Sequence, residues 1–206
     1  MPATTSRRHL THVAATALLA LSLTGGLAAC GSSGPGPDVK VPSTASPQGE
    51  QGAEAMSGAK PTGLRIPSAG VDAKKMLDLT TDSSGELGVP DPDKEANTPG
   101  WWNGSVTPGE KGVSVLVAHY DTKHGPALMK DLKKIKLGDT IEVPREDGST
   151  AKFKIREIQD VDKKNFPTDK VYGASDRPEL RLLTCGGEIK NGHRTNNIIY
   201  FADLVK

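Results

Sequence analysis

Beyond residue 61 the chain is built from short β-branched runs cut by Gly, Pro and Asp, in place of long stretches with 3.6-residue periodicity. Runs of that length and spacing form strands, and strands in such number must bury one face against each other, so an all-β barrel or sandwich is expected. Strands are predicted over residues 63–66, 113–119, 140–143, 151–161, 180–184 and 197–204. One short helix is predicted over 127–134, where Leu128, Leu132 and Ile135 fall on one face at spacings of four and three. Between Asp162 and Arg177 lies a loop-like stretch, Lys163-Lys164-Asn165-Phe166-Pro167-Thr168, long enough to carry a binding wall.

The chain ahead of this domain reads differently. Arg7 and Arg8 precede an apolar run from Val13 to Leu23, broken by Thr16 and Ser22, which has the form of an export signal and falls short of the usual length of a membrane span. Leu27-Ala28-Ala29-Cys30-Gly31 resembles the lipobox of bacterial lipoprotein signals, cleaved before Cys30. A diacylglycerol on the Cys30 sulfur would hold the mature protein on the outer face of the membrane. An uncleaved anchor or an ordinary signal peptide is the plainer alternative, and Ser6-Arg7-Arg8-His9-Leu10 also looks like a twin-arginine signal. Residues 30–60 are rich in Gly, Ser, Pro, Ala and Gln and poor in bulky apolar residues, which predicts a flexible linker. The expected layout is a signal over 1–29, a linker over 30–60 and one folded domain over 61–206.

A formal net charge of +1 gives no electrostatic reason to bind nucleic acid. The chain has two cysteines, and assigning Cys30 to the lipid leaves Cys185 unpaired in an exported protein. That suggests a reactive thiol; the alternatives are a small buried hydrophobe or a Cys30–Cys185 disulfide, disfavoured because Cys30 begins a flexible tether. Cys185 closes the run Leu180-Arg181-Leu182-Leu183-Thr184-Cys185-Gly186-Gly187, in which a strand end fixes the sulfur while two glycines leave it uncrowded.

That run resembles the T-L-x-T-C signature of sortases, and its Gly-Gly continuation resembles the class F branch. Leu64-Arg65-Ile66-Pro67-Ser68-Ala69-Gly70-Val71 is similar to the family's first strand. Gly100-Trp101-Trp102, Pro108-Gly109-Glu110, Ala118-His119-Tyr120-Asp121, Gly125-Pro126-Ala127-Leu128 and Leu137-Gly138-Asp139 follow in the family's order. Ala118 stands where the family has glycine before its histidine, and the region after Cys185 is shorter than in the best-known members. The resemblance covers roughly residues 62–205. It implies a mostly β, sortase-like closed barrel of about eight strands with one or two short helices. It also implies Cys185 as nucleophile, His119 as its proton partner and Arg194, in His193-Arg194-Thr195-Asn196-Asn197, as the substrate-activating cation.

The chemistry of the three residue types is coherent without the family. A free thiol titrates near 8.5, so at neutral pH only about a few per cent is thiolate, and a nearby imidazolium stabilises that form and later protonates a leaving amine. An arginine is permanently cationic and offers forked donors to a carbonyl that gains charge. Thr184 is a candidate extra hydroxyl donor. Asp121 is either a third group orienting His119 or the start of a turn. By strand alternation Arg181 shares the face of Cys185, so residue spacing leaves Arg181 and Arg194 both open. Phe166, Pro167, Val171 and Tyr172 are candidates for an apolar substrate pocket, or for loop residues pinned to the core. His124 and His193 sit in polar loops.

By resemblance the substrate is a Leu-Pro-x-Thr-Gly-like signal near the C-terminus of another exported protein, and the acceptor an amine such as a peptidoglycan precursor. The protein would work outside the membrane at the surface of a Gram-positive-type cell. No cofactor and no metal is implied, because Cys185 and His119 lack zinc-site spacing. The rival readings are a lipoprotein binding module without activity and another thiol peptidase or hydrolase.

Overall fold

One long ladder organises the domain. The computed structural model describes residues 40–45 and 53–205, all within the unit Gly36–Lys206. The expected signal and Cys30 lie outside the described residues. In chain order the strands are β1 (Thr44–Ala45), β2 (Leu64–Ile66), β3 (Val71–Ala73), β4 (Leu77–Leu79), β5 (Gly100–Trp102), β6 (Gly112–Val117), β7 (Asp121–Thr122), β8 (Gly125–Pro126), β9 (Thr140–Pro144), β10 (Thr150–Asp162), β11 (Pro178–Lys190) and β12 (His193–Leu204). The main sheet runs β3-β2-β9-β10-β12-β11-β6-β5-β4, with β1 added to β10, while β7 and β8 form a separate hairpin. The sheet curls as a half-barrel with few helices, the mostly β fold that the sequence implies.

Of the three long central strands, β10 alternates at its start, whereas β11 and β12 carry continuous apolar runs buried on both faces. β11 and β12 meet at Asn191-Gly192, both at positive φ, the pair that a two-residue hairpin turn demands. On β11, Leu180 and Leu182 enter the larger core cluster with Ile198 and Tyr200 of β12 and Phe153 of β10. Leu183 enters a second cluster on the other face, with Val113, Val115 and Val117 of β6 and Ile199 and Phe201 of β12. A short helix α1 (Thr168–Tyr172) closes that second face by burying Val171.

Three expectations change. Residues 127–134 do not form the predicted helix: the N–H groups of Ala127, Leu128 and Met129 bond to the carbonyls of Tyr120, Ala96 and His119. Helical bonding is thereby forfeited, and only a 3-10 turn, Leu132–Lys134, remains. The stretch after Asp162, expected as loop, holds a 3-10 turn, Lys163–Asn165, and α1. The linker expected to run to residue 60 is packed at its end. Ala53 N–H donates to the Leu204 carbonyl and Met56 N–H to that of Gly109, Ala59 is buried, and the buried Arg145 guanidinium reaches Met56 Sδ and the Ser57 carbonyl. Backbone hydrogen bonds, Arg145 and a few small contacts through Ala53, Met56 and Ala59 hold this strap, so its composition gave little hydrophobic signal. Residues 40–45 also engage the sheet, through β1 and through Val41 N–H on Asp160.

Candidate active site

Parallel pairing of β6 with β11 brings the two chief candidates to one end of the sheet. Leu183 is opposite Val117 in that ladder, and Ala118 N–H donates to the Leu183 carbonyl at 3.0 Å. Two residues further along each strand are Cys185 and His119. Side chains alternate along a strand, so Cys185 falls on the Leu183 face, while β6 ends two residues before His119. Cys185 is a free, partly exposed thiol. Its ladder partner on β12 is Asn197, and the ammonium of Lys163 lies 3.7 Å from its sulfur.

His119 is held from another direction. Its Nε2 is 2.7 Å from the carbonyl oxygen of Pro90. A carbonyl only accepts, so this bond requires the hydrogen on Nε2 and leaves Nδ1 as the ring nitrogen that can take up a proton. Pro90 is buried, in the segment between β4 and β5. That segment is tied down again where Asp93 meets Lys123 and His124 of the β7–β8 hairpin, at 3.0 and 2.8 Å.

Arg194 is on β12, in the hairpin that follows Cys185. Its Nε and Nη2 donate to Asp121 Oδ2 at 3.0 and 2.6 Å, and its Nη1 donates to the Gly187 carbonyl at 2.7 Å. The guanidinium lies 4.6 Å from the centre of the Tyr120 ring. The hydrogen bond to Asp121, helped by that carboxylate's charge, raises the Arg194 pKa above the usual guanidinium value against the pull of burial. Three of five N–H groups are used, so one on each terminal nitrogen is left for a ligand. Gly187 makes this possible: at φ 72° it sits in a bulge where a Cβ would come 2.5 Å from Thr195 Oγ1.

The other candidates sort by face and burial. Asp121 spends its carboxylate on Arg194. Thr184 points to the opposite face from Cys185, is 3% exposed, and its hydroxyl has no partner among the described residues. Val171, a candidate pocket wall, is fully buried in the second core cluster and has no surface to offer a substrate. Phe166 and Tyr172 are half-buried beside it with ring centres 6.0 Å apart, and Tyr172 meets Trp102 edge-on at 5.5 Å; Pro167 caps α1. Arg181 is committed elsewhere, donating to Glu179 at 2.7 Å and lying over the Phe201 ring. His124 and His193 are exposed.

Two neighbours of the sulfur escaped the sequence reading, Lys163 and Asn197. Only the pairing of β10, β12 and β11 brings them to Cys185, and no local pattern announces it.

Residues 64–205 match the family model described as Sortase domain. Solved structures with the same fold include sortase C1 of Streptococcus agalactiae in complex with MTSET (18% identity, 70% of this chain and 66% of that one, TM-score 0.53). They also include the sortase D5 transpeptidase of Clostridium perfringens (19%, 74% and 83%, 0.52) and a lid mutant of Corynebacterium diphtheriae sortase A (19%, 75% and 73%, 0.51). At these identities the structural likeness speaks for the fold. No curated protein matches the sequence.

Proposed function

The chain belongs to the sortase family, and from that premise we propose that it is a cysteine transpeptidase acting on a C-terminal sorting signal of the Leu-Pro-x-Thr-Gly kind in other exported proteins. The observation that supports this reading is the parallel β6–β11 ladder, whose last pair, Val117 and Leu183, comes two residues before His119 and Cys185. Arg194, on the strand paired with β11, adds a buried cation that leaves two of its N–H groups unspent. The Gly-Gly after Cys185 supports placing the chain in the class F branch.

In this mechanism the Cys185 thiolate attacks the Thr carbonyl carbon of the signal. The free N–H groups of Arg194 receive the oxygen as it gains charge, an interaction worth more in the transition state than in the ground state. The C–N bond breaks as His119 gives its proton to the leaving Gly amine, and a thioester to Cys185 remains. An incoming amine, such as that of a peptidoglycan precursor, gives up a proton to His119 and displaces the sulfur. A new amide forms and no nucleotide is consumed. The segment between Cys30 and the sheet-bound residues 40–45 would serve as the tether of an enzyme held outside the membrane by a lipid on Cys30.

The test is incubation with a panel of sorting-signal peptides and amines, followed by mass analysis. An acyl adduct on Cys185 and an amine-dependent product are expected. Products formed equally by Cys185→Ala would remove the nucleophile, and free acid in every case would make the enzyme a hydrolase. Mass analysis of the native N-terminus showing unmodified Met1 or Cys30 would remove the lipid anchor.

A further inference from the structure

The cation in contact with the nucleophile is neither His119 nor Arg194. His119 directs Nε2 to the Pro90 carbonyl, and Arg194 directs three N–H groups to Asp121 and Gly187. The Lys163 ammonium is 3.7 Å from Cys185 Sγ, within hydrogen-bonding reach of a sulfur. Among the described residues no carboxylate pairs with it.

The placement is built by the ladder. Asp162, the last residue of β10, is opposite Asn196, which is opposite Gly186. The chain therefore leaves β10 in the row next to Cys185, two strand spacings or about 10 Å away. Asp162 then accepts from Lys164 N–H at 2.8 Å, turning the backbone into the 3-10 turn Lys163–Asn165. The side chain of Lys163 spans the gap back across β12, over the row that holds Asn197.

Resting on the transpeptidase reading, the geometry points to Lys163 as a further catalytic residue, whose ammonium stabilises the Cys185 thiolate before substrate arrives. It acts as a fixed charge and hydrogen-bond donor, not as a base: the thiol proton leaves to water or His119, and the ammonium keeps its own. Lysine is exposed here, so solvent screens the contact and the effect is modest.

Alkylation of Cys185 by iodoacetamide in the full chain tests this, with the Cys185 peptide followed by mass analysis so that Cys30 does not interfere. The S–C bond forms, the C–I bond breaks and iodide leaves, and no sorting signal takes part. At pH 7 Lys163→Ala and Lys163→Gln should react about three- to fivefold more slowly than the wild type, while Lys163→Arg keeps most of the rate. At pH 10, where the thiol is ionised in every variant, the rates should converge. Equal rates at pH 7, the same loss in Lys163→Arg, or an equal loss at both pH values would overturn the role. Because no peptide is used, a wild type inert to sorting signals would sink the transpeptidase reading and leave this result standing.

Discussion

β11 carries one arginine-containing polar cluster near its start and reaches a second near its end, and the two are built to opposite ends. Near the start, Glu179 takes Arg181 at 2.7 Å and Arg177 at 3.2 Å and also pairs with Arg156, while Arg156 and Arg177 share Asp203. Arg181 lies 4.8 Å from the centre of the Phe201 ring. Burial alone would push the Glu179 carboxyl up, but hydrogen bonds from Ser175 and Arg181 and the charges of Arg181 and Arg156 outweigh it and pull the pKa down to about 2. Near the end, six residues beyond Glu179, Cys185 has a single ammonium at 3.7 Å and His119 a single carbonyl. Asn197 stands opposite the sulfur, and Arg194 retains unused donors. A polar cluster that satisfies itself stabilises the fold; one that leaves donors and a thiol open has capacity for a ligand.

Substitutions separate the two clusters. Cys185→Ala has the largest effect, a loss of turnover of about 10³-fold or more with the unfolding transition unchanged, checked by peptide cleavage and thermal melting. Retained turnover would break the contrast from one side. Glu179→Ala should do the reverse: stranding Arg181 as an uncompensated buried charge costs about 3–5 kcal/mol in denaturant unfolding, with turnover per folded molecule unchanged.

The same carboxyl sets an acid limit. Its folded pKa, about 2, is below the ordinary 4.5, so its stabilisation is complete above about pH 4.5 and is lost as pH falls toward 2. The loss is on the order of 3 kcal/mol, and it should be absent from Glu179→Gln in acid titrations of stability. Arg194→Lys sharpens the comparison, because a point charge cannot hold Asp121 and Gly187 together and still serve a carbonyl. Turnover should fall about 10- to 100-fold and stability by about 1–2 kcal/mol, both at once. The smallest effect is expected from Thr44→Pro, which disturbs the two-residue pairing of β1 with β10: within about 0.5–1 kcal/mol, read by denaturant midpoint, with turnover unchanged.

Much of this architecture is legible in the sequence because strands write their own pattern. The β-branched runs at 151–161 and 197–204 and the punctuation around them locate β10 and β12 to within a few residues, whereas β11, predicted over 180–184, runs on to Lys190. Short strands such as β4 and β5, three residues each, leave too little pattern to read. The helix predicted over 127–134 fails for a related reason. Its periodic apolar residues satisfy burial equally well as a turn once Tyr120, Ala96 and His119 claim its N–H groups, and none of these partners has the four-residue spacing of a helix.

The site divides in the same way. Cys185 stands out as an unpaired thiol, although β11 runs past it to Lys190 and does not end there as expected, and Ala118-His119-Tyr120-Asp121 stands out by its likeness to a motif. Nothing local states that Asp121 serves Arg194, that Arg181 is spent on Glu179, or that Thr184 faces away from the sulfur. What residue order determines by itself is the chemistry on hand, the strand periods and the glycines that allow a bulge at Gly187. Which cation meets which anion, and that Lys163 reaches Cys185 across 22 positions, is decided by ladder register. Register is a property of paired strands, set when whole faces are buried together, and no single strand carries it alone.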